Sequence, residues 1–155
     1  MDDRKETEKR KVVLASGTFD LLHLGHVRYL EEAKKAGGLN AKLVVIVARD
    51  ATVEKRRGTK PIMSENQRRA LVGSLKVVDE ALLGYEDFDI EKVIERIHPD
   101  IIALGYDRGD IEQTVRRYVN EKNLNIEIVK ISKFSEDELD SSSKIKQKII
   151  KHVKG

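Results

Sequence analysis

Two histidines flank a glycine in the segment Gly17-Thr18-Phe19-Asp20-Leu21-Leu22-His23-Leu24-Gly25-His26, which lies between a short apolar run, Val12–Ser16, and a helical pattern. That order carries a definite chemistry. Gly17 ends the run without a side chain, so a ligand can come close to the backbone. The first N–H groups of the following helix have no partner of their own and sit at the positive end of its dipole, which makes an anion site. Imidazoles beside those donors can hold a polyphosphate and stabilise charge that develops on it during transfer. Blander roles compete: a histidine at a helix start also serves as a cap or packing residue, and H-x-x-H is half of a metal site. The remaining two of the four histidines, His98 and His152, stand in unrelated contexts.

The elements that must position this segment follow from hydrophobic periodicity. Val12–Ser16, Leu43–Ala48, Ile101–Leu104 and Ile126–Ile131 are short β-branched or apolar runs, and Lys76–Val78 supplies a fifth. Continuous apolar runs suit parallel strands covered on both faces. Between them the period turns helical. His26, Leu30, Ala33 and Ala36 recur before a Gly37-Gly38 stop, and Ser64 with Gln67 opens a helix carrying Ala70, Leu71 and Leu75. Ile90, Val93, Ile94 and Ile97 form a stripe, and Asp110 can cap a helix with Ile111, Val115, Tyr118 and Val119 on one face. Ile145, Ile149 and Val153 share a side after a serine run able to cap them. Strand and helix alternate throughout. With right-handed crossovers this predicts an α/β fold, a single doubly wound, Rossmann-like domain with a five-stranded, mostly parallel sheet. Ligands in such folds bind beyond the carboxyl ends of the strands. Leu104-Gly105-Tyr106-Asp107, after the fourth strand, is therefore a second candidate contact, with Asp107 also readable as a turn residue.

Composition bounds the reading. The 155 residues suit one domain. The first eleven, MDDRKETEKRK, are almost wholly charged and read as a loose tail; residues 12–150 form the domain, and 151–155 read as a frayed end. There is no cysteine, which excludes disulfides, thiolate metal sites and thiol nucleophiles and fits a reducing, cytoplasmic interior. No apolar run approaches membrane-spanning length, so no membrane role is expected. Thirty Lys and Arg against 27 Asp and Glu leave only +3, too small an excess to read as a nucleic-acid footprint. Clusters such as Lys55–Arg57 lack the interleaved aromatics of single-strand binders, so no nucleic-acid partner is expected.

The segment G-T-F-D-L-L-H-L-G-H, with a strand before it and a helix after, resembles the signature of the cytidylyltransferase-like nucleotidyltransferases, and the likeness extends over about Val12 to Ile150. That family joins a nucleoside triphosphate to a phosphate-bearing acceptor and releases pyrophosphate. The resemblance implies backbone contacts from Thr18 and Phe19 to the nucleotide. It also implies phosphate contacts from His23 and His26 and nucleotide binding by the intervening Leu24 and Gly25. Asp20 would brace this loop or serve a metal. The basic run Arg49–Pro61 resembles the family's mobile segment that brings a lysine to the triphosphate, with Lys60 the first candidate and Lys55 the second. Arg68 matches a family arginine able to clamp phosphate through paired donors. Gly105 and Asp107 would meet the nucleoside. Ser142 and Ser143 would meet the β- and γ-phosphates at the start of the last helix, and Phe134 would pack on the base.

The stretches V-A-R-D (Val47–Asp50), G-T-K-P (Gly58–Pro61), D-I-I-A-L-G-Y-D (Asp100–Asp107) and L-D-S-S-S (Leu139–Ser143) look closest to the archaeal FAD synthetase branch. That likeness implies an adenylyltransferase with ATP and FMN as substrates. A divalent metal, Mg²⁺ or similar, would be bound mainly through substrate phosphates. Small members of the superfamily often dimerise, so a homodimer is among the expectations. A CTP-dependent transferase acting on glycerol 3-phosphate or a similar acceptor is the alternative. Its branch carries Arg-Thr-Glu-Gly-Ile before the serine pair, where this chain reads Glu136-Asp137-Glu138-Leu139-Asp140 without the arginine. A catalytically silent nucleotide-binding module is the third reading.

Overall fold

Five short runs of β-branched and aliphatic residues pair side by side in the computed structural model, which describes residues 10–87, 89–133 and 141–155. In chain order the elements are β1 (Val12–Gly17), α1 (Leu24–Ala36), β2 (Lys42–Val47), α2 (Asp50–Arg57), α3 (Glu65–Gly73) and β3 (Glu80–Leu83). They continue with α4 (Ile90–Ile97), β4 (Ile101–Leu104), α5 (Gly109–Glu121), β5 (Glu127–Lys130) and α6 (Ser142–Lys154). The sheet order is β3-β2-β1-β4-β5, and every pairing is parallel. The mostly parallel sheet expected from sequence is thus wholly parallel.

The strand period of two divides the core. Val13, Ala15, Leu43, Val45 and Val47 point to one face, where Leu30 and Ala33 of α1 and Val72 of α3 pack. Leu14, Ile46, Ile102 and Leu104 point to the other, under Ile90, Val93 and Ile94 of α4 and Ile111, Val115 and Tyr118 of α5. Burying both faces is what continuous apolar strands require. The order reverses at β1, whose neighbours β2 and β4 lead to opposite wings. The crevice beyond β1 and β4 is therefore the expected ligand site.

Several expectations are corrected. Lys76–Val78 is not a strand: Val78 N–H bonds back to the Leu75 carbonyl in a turn, and β3 begins at Glu80. The two valines are apolar because they plug the lower core, not because they pair. Next to them the Asp79 carboxylate accepts the Leu43 N–H at 2.8 Å. The basic run from Arg49 holds a helix, α2, up to Arg57. It ends at Gly58 in the left-handed region (φ 83°), whose N–H bonds the Glu54 carbonyl. Leu71 is 38% exposed, because Arg68 and Val72 form the inward stripe of α3. The residue flanking the start of α5 is Arg108 rather than Asp110, which sits in the first turn where its charge complements the dipole. Ser141 caps α6, accepting the Lys144 N–H, and the helix runs past Ile150 to Lys154.

Candidate functional site

The loop leaving β1 is held in a conformation it would not adopt alone. Phe19 and Leu21 have φ of 57° and 49°, left-handed values that cost non-glycine residues about 1 kcal/mol or more each. Two buried charges enforce it. The Asp20 carboxylate is 2% exposed and accepts the N–H groups of Ile62 (2.8 Å) and Met63 (3.0 Å). The fully buried Arg68 guanidinium donates to the carbonyls of Met63 (2.9 Å), Thr18 (2.7 Å) and Ala48 (2.7 Å) and to Asp50 Oδ1 (2.6 Å). Between them these side chains tie the β1 loop, the end of β2, the start of α2 and the 62–63 turn into one unit. Gly17 is required by packing: a Cβ there would lie 2.9 Å from Cε2 of the buried Phe19 ring. That ring in turn stands against His26, centroid to centroid 5.4 Å.

The histidines begin α1. His23 is the N-cap, its Nδ1 accepting the Gly25 N–H at 3.1 Å, while His26 Nδ1 accepts the His23 N–H at 3.2 Å. This is a reciprocal capping box built from imidazoles rather than hydroxyl and carboxylate. Both Nδ1 atoms are acceptors, so in its neutral form each ring carries its proton on Nε2 and keeps that N–H as a donor. The rings stack at 3.8 Å. Burial first, and then the charge of His23, push the His26 pKa down to about 3, with Asp20 opposing. His26 is thus a neutral hydrogen-bond donor near pH 7.

An open cavity of about 810 Å³ spreads from this loop across the ends of β1 and β4. It collects most of the residues expected from sequence: Thr18, Phe19, His23, Gly25, His26, Gly105, Asp107, Ser142 and Ser143 all line it. Ser142 joins α6 to the loop, its hydroxyl donating to the Asp20 carbonyl, and Lys146 Nζ stands 3.8 Å from the Asp20 carboxylate. Tyr29 forms part of the wall with its hydroxyl on the Ala103 carbonyl (2.7 Å), and burial pushes its pKa up to about 12.

Four expected residues are not in the lining. Arg68 lies beneath the loop with its donors engaged by protein. Lys60 is exposed outside the cavity, and Leu24 is 40% exposed. The second lysine candidate, Lys55, pairs instead with Asp87 at 2.8 Å. Phe134 lies outside the described residues. Sequence reasoning missed Arg56, Arg57, Arg108 and Lys133, which do line the cavity; the first two were visible only as a basic run. Among the described residues no group of three or more His, Asp or Glu is arranged to hold a metal ion.

Residues 14–148 match the cytidylyltransferase-like family. An FAD synthase of Methanobrevibacter smithii is 49% identical over 141 residues, covering 91% of this chain and 92% of that one. An FAD synthase of Ferroglobus placidus is 51% identical over 140 residues, covering 90% and 88%. Among solved structures, a lipopolysaccharide core biosynthesis protein from Thermoplasma volcanium superposes with a TM-score of 0.74 at 46% identity, over 82% of this chain and all of that one. A pantoate–β-alanine ligase from Francisella tularensis shares the fold at a TM-score of 0.63 and 16% identity, over 90% of this chain and 66% of that one.

Proposed function

The chain belongs to the cytidylyltransferase-like family, and on that footing we propose that it is an ATP:FMN adenylyltransferase, joining the AMP moiety of ATP to FMN and releasing pyrophosphate. The observation that carries the reading is near-half identity to FAD synthases across about nine-tenths of both chains. The catalytic unit is the domain of residues 12–150, working in the cytoplasm.

In the reaction an oxygen of the FMN phosphate forms a bond to the α-phosphorus of ATP. The bond from that phosphorus to the bridging oxygen breaks, and pyrophosphate leaves with the electron pair. A phosphate monoester is largely dianionic at pH 7, so no base need activate it. The protein's work is positioning and charge stabilisation. That suits His26, whose low pKa makes it a poor acid–base group but a fixed Nε2–H donor. In this proposal His23 and His26 hold the phosphates, and Ser142, Ser143 and the free N–H groups of α6 hold the β- and γ-phosphates. Backbone of Thr18, Phe19, Leu24 and Gly25 frames the nucleotide, and Gly105 and Asp107 meet the nucleoside. Arg68 acts through the loop it braces, as a positioning residue. Lys60 contributes if ATP draws the Gly58–Pro61 segment inwards.

A divalent ion, Mg²⁺ or similar, belongs to the proposal as one carried on the triphosphate, where it would offset negative charge. The Asp20 carboxylate is already committed to two backbone N–H groups, which favours its bracing role over a metal role. The homodimer belongs to the proposal too, and sedimentation at assay concentration checks it.

The test is pyrophosphate release with Mg²⁺, ATP and CTP each paired with FMN, glycerol 3-phosphate and phosphocholine. Release confined to ATP plus FMN, with FAD appearing, is the expected result. Release only with CTP and glycerol 3-phosphate overturns the acceptor and base, and release with no pair overturns the transferase reading. Lys60→Ala in the same assay should raise KM for ATP; an unchanged KM removes Lys60 from the site.

A further inference from the structure

We propose that Arg56, Arg57 and Arg108 form the subsite for the phosphate of the acceptor, an inference that rests on the transferase reading and assigns a residue set to its second substrate. The three guanidiniums come from elements on both wings of the switch point. Arg56 and Arg57 end α2, which follows β2, and Arg108 flanks the start of α5, which follows β4. Because β2 and β4 are the two neighbours of β1, these side chains meet over the carboxyl end of β1, and all three line the cavity. Arg56 Nη2 donates to Thr18 Oγ1 at 3.0 Å, which places it at the loop itself.

Asp107 and Asp110 line the same cavity but make no ion pair with the cluster. Among the described residues none of the three has a carboxylate oxygen within ion-pair distance, whereas other surface cations such as Lys55 and Arg116 do. Burial, then the charges of Arg108 and Arg57, make Arg56 less basic than usual, and the opposing pull of Asp110 and Asp107 is weaker than either arginine's push. Like charges gathered in a cavity without partners are stabilised by an anion. Planar guanidinium forks match phosphate oxygens in pairs.

Two anion subsites are what an in-line displacement needs, one for the leaving pyrophosphate and one for the entering phosphate. The groups suited to the triphosphate gather round Asp20: the Ser142 hydroxyl on its carbonyl, Lys146 near its carboxylate and His26 beside it. Arg56 stands at Thr18 instead, two residues earlier, where it feels the charges of Arg108 and Arg57. A triphosphate held at Asp20 leaves the arginines free to bring the acceptor phosphate to the α-phosphorus.

The test uses the full chain and the variants Arg57→Met, Arg108→Met and Arg108→Lys, with folding checked by circular dichroism. Neither methionine removes a cap, since Arg108 makes no side-chain capping bond and Arg57 is exposed. Binding of FMN and of riboflavin, which lacks the phosphate, is read by flavin fluorescence, and KM for FMN and ATP by FAD formation. The wild type should prefer FMN over riboflavin; each methionine variant should lose about tenfold or more of that preference and show FMN KM raised by a similar factor, with ATP KM within about twofold and Arg108→Lys intermediate. Equal binding of FMN and riboflavin by the wild type overturns the proposal, as does a rise confined to ATP KM, which would give the arginines to the triphosphate. A wild type that makes no FAD overturns the adenylyltransferase reading separately, and the FMN-over-riboflavin preference and its loss in the variants still decide the arginine subsite.

Discussion

Arg68→Met separates a brace from a substrate clamp. The wild-type guanidinium is fully buried and bonds acceptors on Met63, Thr18, Ala48 and Asp50, all within 2.9 Å. Methionine fills much of the same volume and supplies no donor. Three carbonyls, that of Thr18 buried and the others partly so, and a carboxylate then lose their partner. Breaking a buried charge pair by removing one member costs about 3–5 kcal/mol. Asp50 is 28% exposed, so water recovers part of its share and the lower end of that range applies. At this chain length each kcal/mol moves the midpoint by about 2–4 °C, so the nucleotide-free melting temperature should fall by about 10 °C. The Thr18 carbonyl, no longer anchored, should also let the β1 loop drift, and kcat should fall more than KM for ATP rises. Arg68→Lys should recover little, since one ammonium cannot reach acceptors on four segments. The assay is thermal unfolding by circular dichroism without ligand, followed by FAD formation on the same preparations. A methionine variant that melts with the wild type but shows a large rise in ATP KM refutes the brace and returns Arg68 to direct phosphate contact.

His26 makes stability depend on pH. Its folded pKa near 3 lies below the unfolded value of 6.5, so between those limits the unfolded chain binds a proton that the folded chain does not. Stability should therefore fall as pH drops below 6.5, by at most about 1.4 kcal/mol per unit from this group. Urea midpoints of the wild type and His26→Gln from pH 4.5 to 7 check this, and parallel curves would remove His26 as the source. Gly17→Ala places a Cβ 2.9 Å from the Phe19 ring, which is itself pinned between the core and His26. It should cost about 1–3 kcal/mol as an overpacked site and lower kcat by displacing the loop; an alanine variant of normal stability and turnover would show that Phe19 has room to yield.

Which parts of this molecule were legible in the sequence follows from how far each signal reaches along the chain. Strands β1, β2 and β4 announce themselves because their own residues are buried on both faces. The Ser64 cap is legible because its acceptor meets Gln67, three residues on, and the imidazole capping box of α1 closes within four residues. The histidine loop was readable for the same reason: strand end, glycine, donors and helix start are contiguous. What escaped is held from elsewhere. The first N–H of α2 is capped by the Glu65 carboxylate, 15 residues away, so a segment with a single buried residue, Val53, showed only its charge. Arg68, in the first turns of a helix, looks like a surface cation or a phosphate ligand until carbonyls from three other segments converge on it. Asp20 finds its donors 42 and 43 residues downstream. Such side chains give a sequence no local period or cap to read. They fix the β1 loop in an otherwise unfavourable conformation, and that loop presents the histidines. The residues hardest to read are therefore the ones on which the geometry of the readable ones depends, and a substitution at Asp20 or Arg68 should disturb the histidine site without touching a ligand.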